Sequence, residues 1–423
     1  MPFSESSNSP NQETATATAY KRIVTPSLTW LCRTIVGGAF MLGGWAKSVD
    51  PYGTLYKMLE YFSAWGLHAI PREPVVMAAV ALGALELTVG VCVLFGVLRR
   101  SSAIAAFLIM CAMLPLTAYI AIADPVSDCG CFGDILIVSN TATFLKNIAI
   151  SACCVWLLLH NSRCRGVFHH SIQWLVVTST VLYALILSAV GYNVQPVADF
   201  RPYPLGTSMC PAETNETISL IYEKNGQQRT FSEYELPDST WTYIGLAEDT
   251  KEETAPFAVF DTEGDEADLF ECEGTQLIFV VPDPGEHFLT RSRFANELAA
   301  YARRHDTPTA AIVGTSTAGL HEWQLLAAPE FDVYSADDTD LKTLVRGDIA
   351  AVYLSDGKIV WKRNLASIDA ELPETKNDCD DALENIEAAD DGSMNALISG
   401  SYIAVLLTAS LVAPLRRIMR KRQ

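Results

Sequence analysis

The stretch Asp128-Cys129-Gly130-Cys131-Phe132-Gly133-Asp134 decides how the chain reads, because it sets two thiols one residue apart between two apolar runs, residues 101–123 and 141–160. Each run is long enough for the roughly 20 helical residues that cross about 30 Å of hydrocarbon, so the stretch is a loop at a membrane surface. Thiols this close can close only a tight ring, and disulfides far from relaxed geometry are the readily reduced ones. Gly130 permits such a ring, since it alone tolerates unusual backbone angles without cost. The same spacing also fits two small buried residues, or two thiols that each pair elsewhere, because Cys-x-Cys is a weak pattern beside a doubled Cys-x-x-Cys.

Outward from this loop, the apolar runs continue. Six predicted spans emerge, at 23–46, 75–98, 101–123, 141–160, 171–192 and 394–414. Lys21-Arg22, Arg99-Arg100, Arg163 with Arg165, and Arg416-Arg417 with Arg420-Lys421-Arg422 all fall on one side of strictly alternating spans. The positive-inside rule makes that side the cytoplasm. Both termini are then cytoplasmic, while the 50–74 loop, the cysteine loop and everything between the fifth and sixth spans lie outside. Residues 1–20 lack apolar periodicity and read as a disordered tail, with 415–423 as a basic cytoplasmic tail.

Charge inside lipid is costly and signals function or a satisfied partner. Glu86 is the only charge in the second span, and Arg33 lies in the first at a similar depth counted from the cytoplasmic ends, which predicts a buried Arg33–Glu86 pair. Such a pair fixes helix packing or handles protons. Lys47 and Lys146 sit near outer helix ends, where snorkelling explains them. They also place positive charge near Cys129 and Cys131, which favours thiolate. Asp128 and Asp134 act in the opposite sense. Cys32, Cys92, Cys111, Cys153, Cys154 and Cys164 lie in spans or on the reducing side and read as small buried residues.

From 198 to 390 the composition changes sharply. This segment carries a net charge of −25 and the remainder +6, so it is one acidic, soluble unit. A phosphate backbone needs a basic footprint, which excludes nucleic acid as a partner. Short apolar runs at 277–281, 310–313 and 331–334 read as strands, with helices at 292–304 and 319–326 between them. A hairpin follows at 350–354 and 358–362, turned by Asp356-Gly357. That order is thioredoxin-like over about 274–366. Residues 198–272 read as a less regular lead-in and 378–391 as an acidic linker. Cys210, Cys272 and Cys379 are an odd number in an oxidising compartment, so one disulfide and one free thiol is the simplest count.

With these residues assembled, Gly43-Gly44-Trp45-Ala46-Lys47-Ser48-Val49-Asp50-Pro51, Glu86, the Asp128–Asp134 stretch and Thr143-Phe144-Leu145-Lys146-Asn147 resemble the DoxX family and its MauE-like (methylamine utilisation) branch. The resemblance covers about a third of the chain, and the layout with an outer thioredoxin-like domain looks like the fused versions of Bacteroidetes-type bacteria. It implies a bacterial inner-membrane protein tied to extracytoplasmic thiol or quinone-linked chemistry, such as the maturation of disulfide-rich proteins. One departure matters: thioredoxin-like enzymes carry Cys-x-x-Cys after the first central strand, whereas 280–287 contains no cysteine, and Ile349 stands where a cis-proline is expected. That domain is redox-silent by this route.

The fold class is thus membrane all-α, a DoxX-like bundle over residues 21–193 plus an extracytoplasmic α/β thioredoxin-like domain over 198–390. The function expected is thiol–disulfide exchange through Cys129 and Cys131, supported by Lys47, Asp50, Glu86, Arg33, Asp128, Asp134 and Lys146. A membrane quinone is the implied cofactor and an extracytoplasmic thiol or disulfide protein the implied partner, with no metal. The plan resembles vitamin K epoxide reductase by analogy only. A second reading is a non-catalytic assembly or binding component with a degenerate docking domain. A transporter, supported only by the buried charges, is third.

Overall fold

The computed structural model describes residues 10–67, 70–126, 129–136, 138–160, 165–210, 219–224, 227–232, 237, 240–246, 258–282, 288–314, 324–325, 328–368, 383, 386 and 392–422. In chain order the described elements begin with helices α1 (Pro10–Val49), α2 (Pro51–Ala64), α3 (Arg72–Phe95), α4 (Arg99–Ala123), α5 (Asn140–His160) and α6 (Gln173–Asn193). Strands β1 (Ser219–Lys224), β2 (Gln227–Ser232), β3 (Thr242–Leu246) and β4 (Thr275–Val281) follow, then α7 (Phe288–Arg304), β5 (Thr309–Gly314), β6 (Asp332–Ala336) and α8 (Asp338–Leu344). The hairpin β7 (Ala350–Ser355) and β8 (Lys358–Asn364) precedes a last helix, α9 (Ser393–Arg422). Two compact units result, residues 1–201 with 387–423, and residues 202–386.

In the first unit, five helices among the described residues are long and apolar enough to cross a membrane: Arg72–Phe95, Arg99–Ala123, Asn140–His160, His170–Asn193 and Ser393–Leu411. The first of the six expected spans is not among them, because Arg33, Lys47 and four glycines dilute the apolar residues of α1. That helix nevertheless packs closely against α3. A Cβ at Gly37 would meet Leu94, one at Gly44 would meet the Leu87 backbone, and one at Gly90 would meet Met41. Small residues are what let helix backbones approach so closely within a membrane. The three contacts share one antiparallel register, which holds over about two turns of α1. Behind α6 lies α9, where Tyr183 and Tyr402 stack at 4.3 Å and Thr180 Oγ1 meets Tyr402 OH at 2.8 Å.

Three segments differ from the sequence expectation in this unit. Residues 10–20 of the expected disordered tail are the start of α1: Pro10 stands at the first helical position, and Ala15, Ala17 and Ala19 favour helix. The 50–74 loop contains α2, capped by Asp50, whose side chain accepts from Gly53 N at 2.9 Å. The expected tail at the C-terminus continues α9 to Arg422.

The second unit holds two sheets. One is three-stranded and antiparallel, in the order β2-β1-β3; the other has five strands in the order β6-β5-β4-β7-β8. In the latter β4, β5 and β6 are mutually parallel, while β7 runs antiparallel to β4 and β8 antiparallel to β7. The centre is β4, with Leu277, Phe279, Val280 and Val281 wholly buried, as expected of a strand covered on both faces. Asp356 and Gly357, at φ 48° and 68°, turn the hairpin. A turn with positive φ at both central residues matches the twist of the flanking strands. The three-stranded sheet replaces part of the irregular lead-in, since β2, Gln227–Ser232, is too polar to stand out by apolar period. The helix expected at 319–326 lies outside the described residues apart from 324–325, and so does nearly all of the 378–391 linker.

Candidate functional site

The cysteine loop is positioned from both sides. Asn140, the first residue of α5, donates through Nδ2 to Asp124 Oδ1 at 2.8 Å and to Val126 O at 2.9 Å, tying the start of the loop to its end. Gly130 and Gly133 adopt φ of +64° and +56°, where a side chain would be strained. A Cβ on Gly130 would in addition lie 3.0 Å from Lys57 Cγ of α2. From the same helix Tyr61 OH donates to Cys129 O at 2.9 Å. The turn that results brings Cys129 Sγ to 2.8 Å from Cys131 Sγ, with both residues present as thiols.

Beneath the loop lies an ion pair. Lys47 Nζ donates to Glu86 Oε2 at 2.7 Å and to Cys131 O at 2.8 Å, and the two side chains are 6 % and 8 % exposed. Gly43 makes room for this, as a Cβ there would stand 3.0 Å from Cys131 O and 3.3 Å from Glu86 Oε2. Lys146 Nζ sits 4.0 Å from the Phe132 ring centroid, a cation–π contact that holds its charge beside the loop.

The expected Arg33–Glu86 pair is not formed. In the glycine register Gly37 faces Leu94, which puts Arg33 one further turn along, level with Leu98 rather than with Glu86. Arg33 is buried there, donating from Nη1 to Arg165 O at 3.2 Å with its guanidinium 5.1 Å from the Trp30 ring centroid. Counting depth from Arg22 misplaced it because α1 passes through that position without a break.

Cys131 is pulled down to about 7, chiefly by the hydrogen bond from the Cys129 thiol, against burial and helped by the Lys146 and Lys47 ammonium groups. Cys129 moves upward, because it donates that bond and is buried. The arrangement is thus one thiolate-prone sulfur with a protonated neighbour in contact.

Two cavities meet the pair. A small one of about 40 Å³ is lined by Gly43, Lys47, Glu86, Cys131, Lys146 and Asn147 among others, enough room for water beside the ions. A larger one of about 470 Å³ is bounded by Met58, Phe62, Trp65 and Leu82, with Cys129 and Cys131 in its wall. Its size and mostly apolar lining fit a small-molecule site.

Of the other expected residues, Asp50 serves as the cap of α2, and Asp134 lies in a 3-10 turn, Gly133–Ile135. Asp128 and Cys379 fall outside the described residues. Cys210 and Cys272 form a disulfide across 62 residues in the second unit. Tyr61, Lys57 and Asn140 escaped the sequence reading, and Gly43 entered it only as part of a motif, without a role. The apolar spacing Tyr52, Leu55, Tyr56, Leu59 was the signal for α2, and with it for Tyr61.

Residues 25–160 match the family model described as Methylamine utilisation protein MauE, and residues 216–250 match a domain of unknown function, DUF8463, over the three-stranded sheet. No curated protein and no solved structure matches. The chain is therefore a membrane protein whose residues 25–160 form a MauE-like helical module.

Proposed function

We propose that this module is a thiol–disulfide oxidoreductase of the bacterial inner membrane, in the wider DoxX-like group, and that Cys129 and Cys131 are its redox pair. The observation that carries the reading is the 2.8 Å contact between two thiols in the wall of an apolar chamber, with a buried lysine on the adjoining backbone. Exchange proceeds by attack of a thiolate on a disulfide. The Cys131 thiolate attacks a disulfide of an extracytoplasmic partner, forming a mixed disulfide and releasing one partner thiolate. Cys129 then gives up its proton and attacks Cys131 Sγ, which closes the Cys129–Cys131 bond and frees the second partner thiolate. Two electrons pass to the partner, and the reverse sequence oxidises a partner dithiol.

The chamber suits a membrane quinone: with a partner dithiol as donor the quinone would take two electrons and two protons from the Cys129–Cys131 dithiol, and in the opposite direction its quinol would supply the two electrons that reduce the Cys129–Cys131 disulfide. Phe62, Trp65 and Met58 would hold its ring by apolar contact, while Lys57 and Lys47 bring donors to the same wall. Lys47 keeps positive charge beside Cys131, and Glu86 fixes Lys47 in place.

The parallel β4-β5-β6 set with the antiparallel β7-β8 hairpin supports a thioredoxin-like reading of the second unit. It has no cysteine at 280–287, so its role is to dock the partner rather than to exchange electrons. Both termini are cytoplasmic and this unit extracytoplasmic, by the distribution of basic residues.

The test is mass spectrometry of full-length protein trapped by alkylation across graded redox buffers, followed by quinone reduction with and without C129S. The expected result is reversible pairing of Cys129 with Cys131 at a potential above the roughly −300 mV of stable structural disulfides. Thiols that stay reduced under oxidising conditions, or that bond only to Cys210 or Cys272, would leave the assembly reading in its place.

A further inference from the structure

Thiol–disulfide exchange leaves the small cavity beside the Lys47–Glu86 pair unused. At about 40 Å³ it takes a molecule of about two or three heavy atoms, whereas a quinone ring needs the 470 Å³ chamber. The two sulfurs are placed unequally against these spaces. Cys131 lines both, and Cys129 lines the chamber but not the small cavity. The charged groups that act on Cys131 are Lys146, Lys47 and Glu86, and all three line the small cavity. Asn147, 4 % exposed, joins them there, its Nδ2 donating to Thr117 Oγ1 at 3.3 Å. Of the three N–H groups of Lys47, the bonds to Glu86 and to Cys131 O use two.

Structural water is the plain account of such a space, since buried waters satisfy polar groups. It explains the ions but not the sulfur. A thiolate-prone cysteine with a second thiol at 2.8 Å opens on a water-sized polar space with two ammonium groups in its wall. Cysteines of low pKa beside a resolving cysteine are the ones that peroxides oxidise. Breaking an O–O bond puts negative charge on the departing oxygen, and fixed donors in a site poor in water stabilise that charge strongly. A small, neutral hydroperoxide therefore suits the size, the polarity and the chemistry together.

We propose that Cys131 reduces hydrogen peroxide in this cavity, with Cys129 as the resolving thiol. The inference rests on the reading of Cys129 and Cys131 as a redox pair and gives that pair a second oxidant. The Cys131 thiolate attacks one peroxide oxygen, an S–O bond forms and the O–O bond breaks. The departing hydroxide, met by the Lys47 and Lys146 ammonium groups, takes one proton from solvent and leaves as water. Cys131 is now a sulfenic acid. Cys129 Sγ attacks Cys131 Sγ, the S–O bond breaks, and the hydroxyl leaves with the Cys129 proton as a second water. Two electrons have passed from the thiols to the peroxide, and a partner dithiol restores them by exchange.

The experiment treats pre-reduced full-length protein with hydrogen peroxide, cumene hydroperoxide or oxidised glutathione, and follows closure of the Cys129–Cys131 bond by quenching, alkylation and mass spectrometry. Hydrogen peroxide is expected to close it at least about a hundredfold faster than it oxidises dithiothreitol at equal thiolate concentration. Cumene hydroperoxide, too large for the small cavity, is expected to be slower than hydrogen peroxide by at least about tenfold. In C129S, dimedone should trap the sulfenic acid on Cys131 and leave Cys111, the exposed cysteine of α4, unlabelled. Closure by hydrogen peroxide no faster than the dithiothreitol reference overturns the proposal, as does equal reactivity of the two peroxides, which would move the reaction to the chamber. Labelling of Cys111 as fast as Cys131 overturns it too. Should C129S fail to fold, the closure rates of the unaltered protein decide alone. Closure by oxidised glutathione but not by peroxide removes this inference and keeps the redox pair, whereas closure by none of the three oxidants removes the pair itself.

Discussion

At Lys47 two requirements meet: a buried ammonium needs a counter-charge, and the Cys131 carbonyl, pinned by the loop, needs a donor. Glu86 and the carbonyl meet both at 2.7 and 2.8 Å. Removing one partner leaves the other uncompensated, so K47M or E86Q alone is expected to destabilise the helical unit by about 3 to 5 kcal/mol. The double variant K47M/E86L should recover much of that loss, read as the thermal midpoint in detergent. A double variant no better than the worse single one would show that the two side chains do not act as a pair. Reactivity of the neighbouring thiol follows from the same geometry. With Cys131 lowered to about 7, its thiolate fraction rises through neutral pH, whereas an ordinary thiol titrates near 8.5. Alkylation of Cys131 should therefore be slow below pH 6, reach half its maximum near pH 7 and level off above pH 8. Its midpoint should move up in C129A, which deletes the hydrogen bond that contributes most, and less far in K146M. A midpoint unmoved by C129A would remove the thiol–thiol contact as the cause.

Among the elements, the α1–α3 packing makes the sharpest prediction. A Cβ on Gly44 collides with the Leu87 backbone, while one on Gly38, six residues earlier in the same helix, meets nothing within 4 Å. G38A should thus stabilise by up to about 1 kcal/mol, the ordinary helix preference of alanine over glycine. G44A should destabilise despite the same preference, by about 1 to 3 kcal/mol or more, because backbone cannot yield as a side chain does. Equal stabilisation by the two variants, measured as thermal midpoints, would mean that α1 and α3 do not hold this register. The register also marks the limit of what the sequence makes legible. Apolar length places α3 to α6 and the start of α9 to within a few residues, and Asp356-Gly357 names its hairpin, since both signals are local. The pairing of Glu86 with Lys47 rather than Arg33 depends on how far α1 slides along α3, which tightly packed glycines set and local pattern does not record. Strands β1 to β3 were hidden for a related reason: polar runs such as Gln-Gln-Arg-Thr become strands through their pairing partners, not through an apolar period.

For the whole molecule, the division into a helical unit and an acidic unit carries a statement about sidedness. The segment 198–390 has a net charge of −25 while the rest has +6, and the basic residues cluster next to the spans. Lysine and arginine beside short loops resist translocation, whereas a long acidic domain crosses with little regard to its charge. The Cys210–Cys272 disulfide is consistent with the same side, because such bonds persist in oxidising compartments and are uncommon in a reducing cytosol. Among the described residues the number of helices long and apolar enough to span is odd, five, which leaves α1 to decide the outcome. If α1 crosses, six crossings put both termini on the cytoplasmic side; if it lies along the surface, the two ends fall on opposite sides. Arg33, buried against the Arg165 carbonyl, and Lys47, paired with Glu86, relieve the cost of placing both charges at depth, so a full crossing is the expected arrangement. An impermeant maleimide applied to intact cells should then label D265C but neither Q423C nor a cysteine placed at Pro10. Labelling at Pro10 with protection at Gln423 would take α1 out of the membrane. Protection of D265C with labelling of Q423C would invert the whole arrangement, and with it the compartment in which Cys129 and Cys131 could meet an oxidised partner.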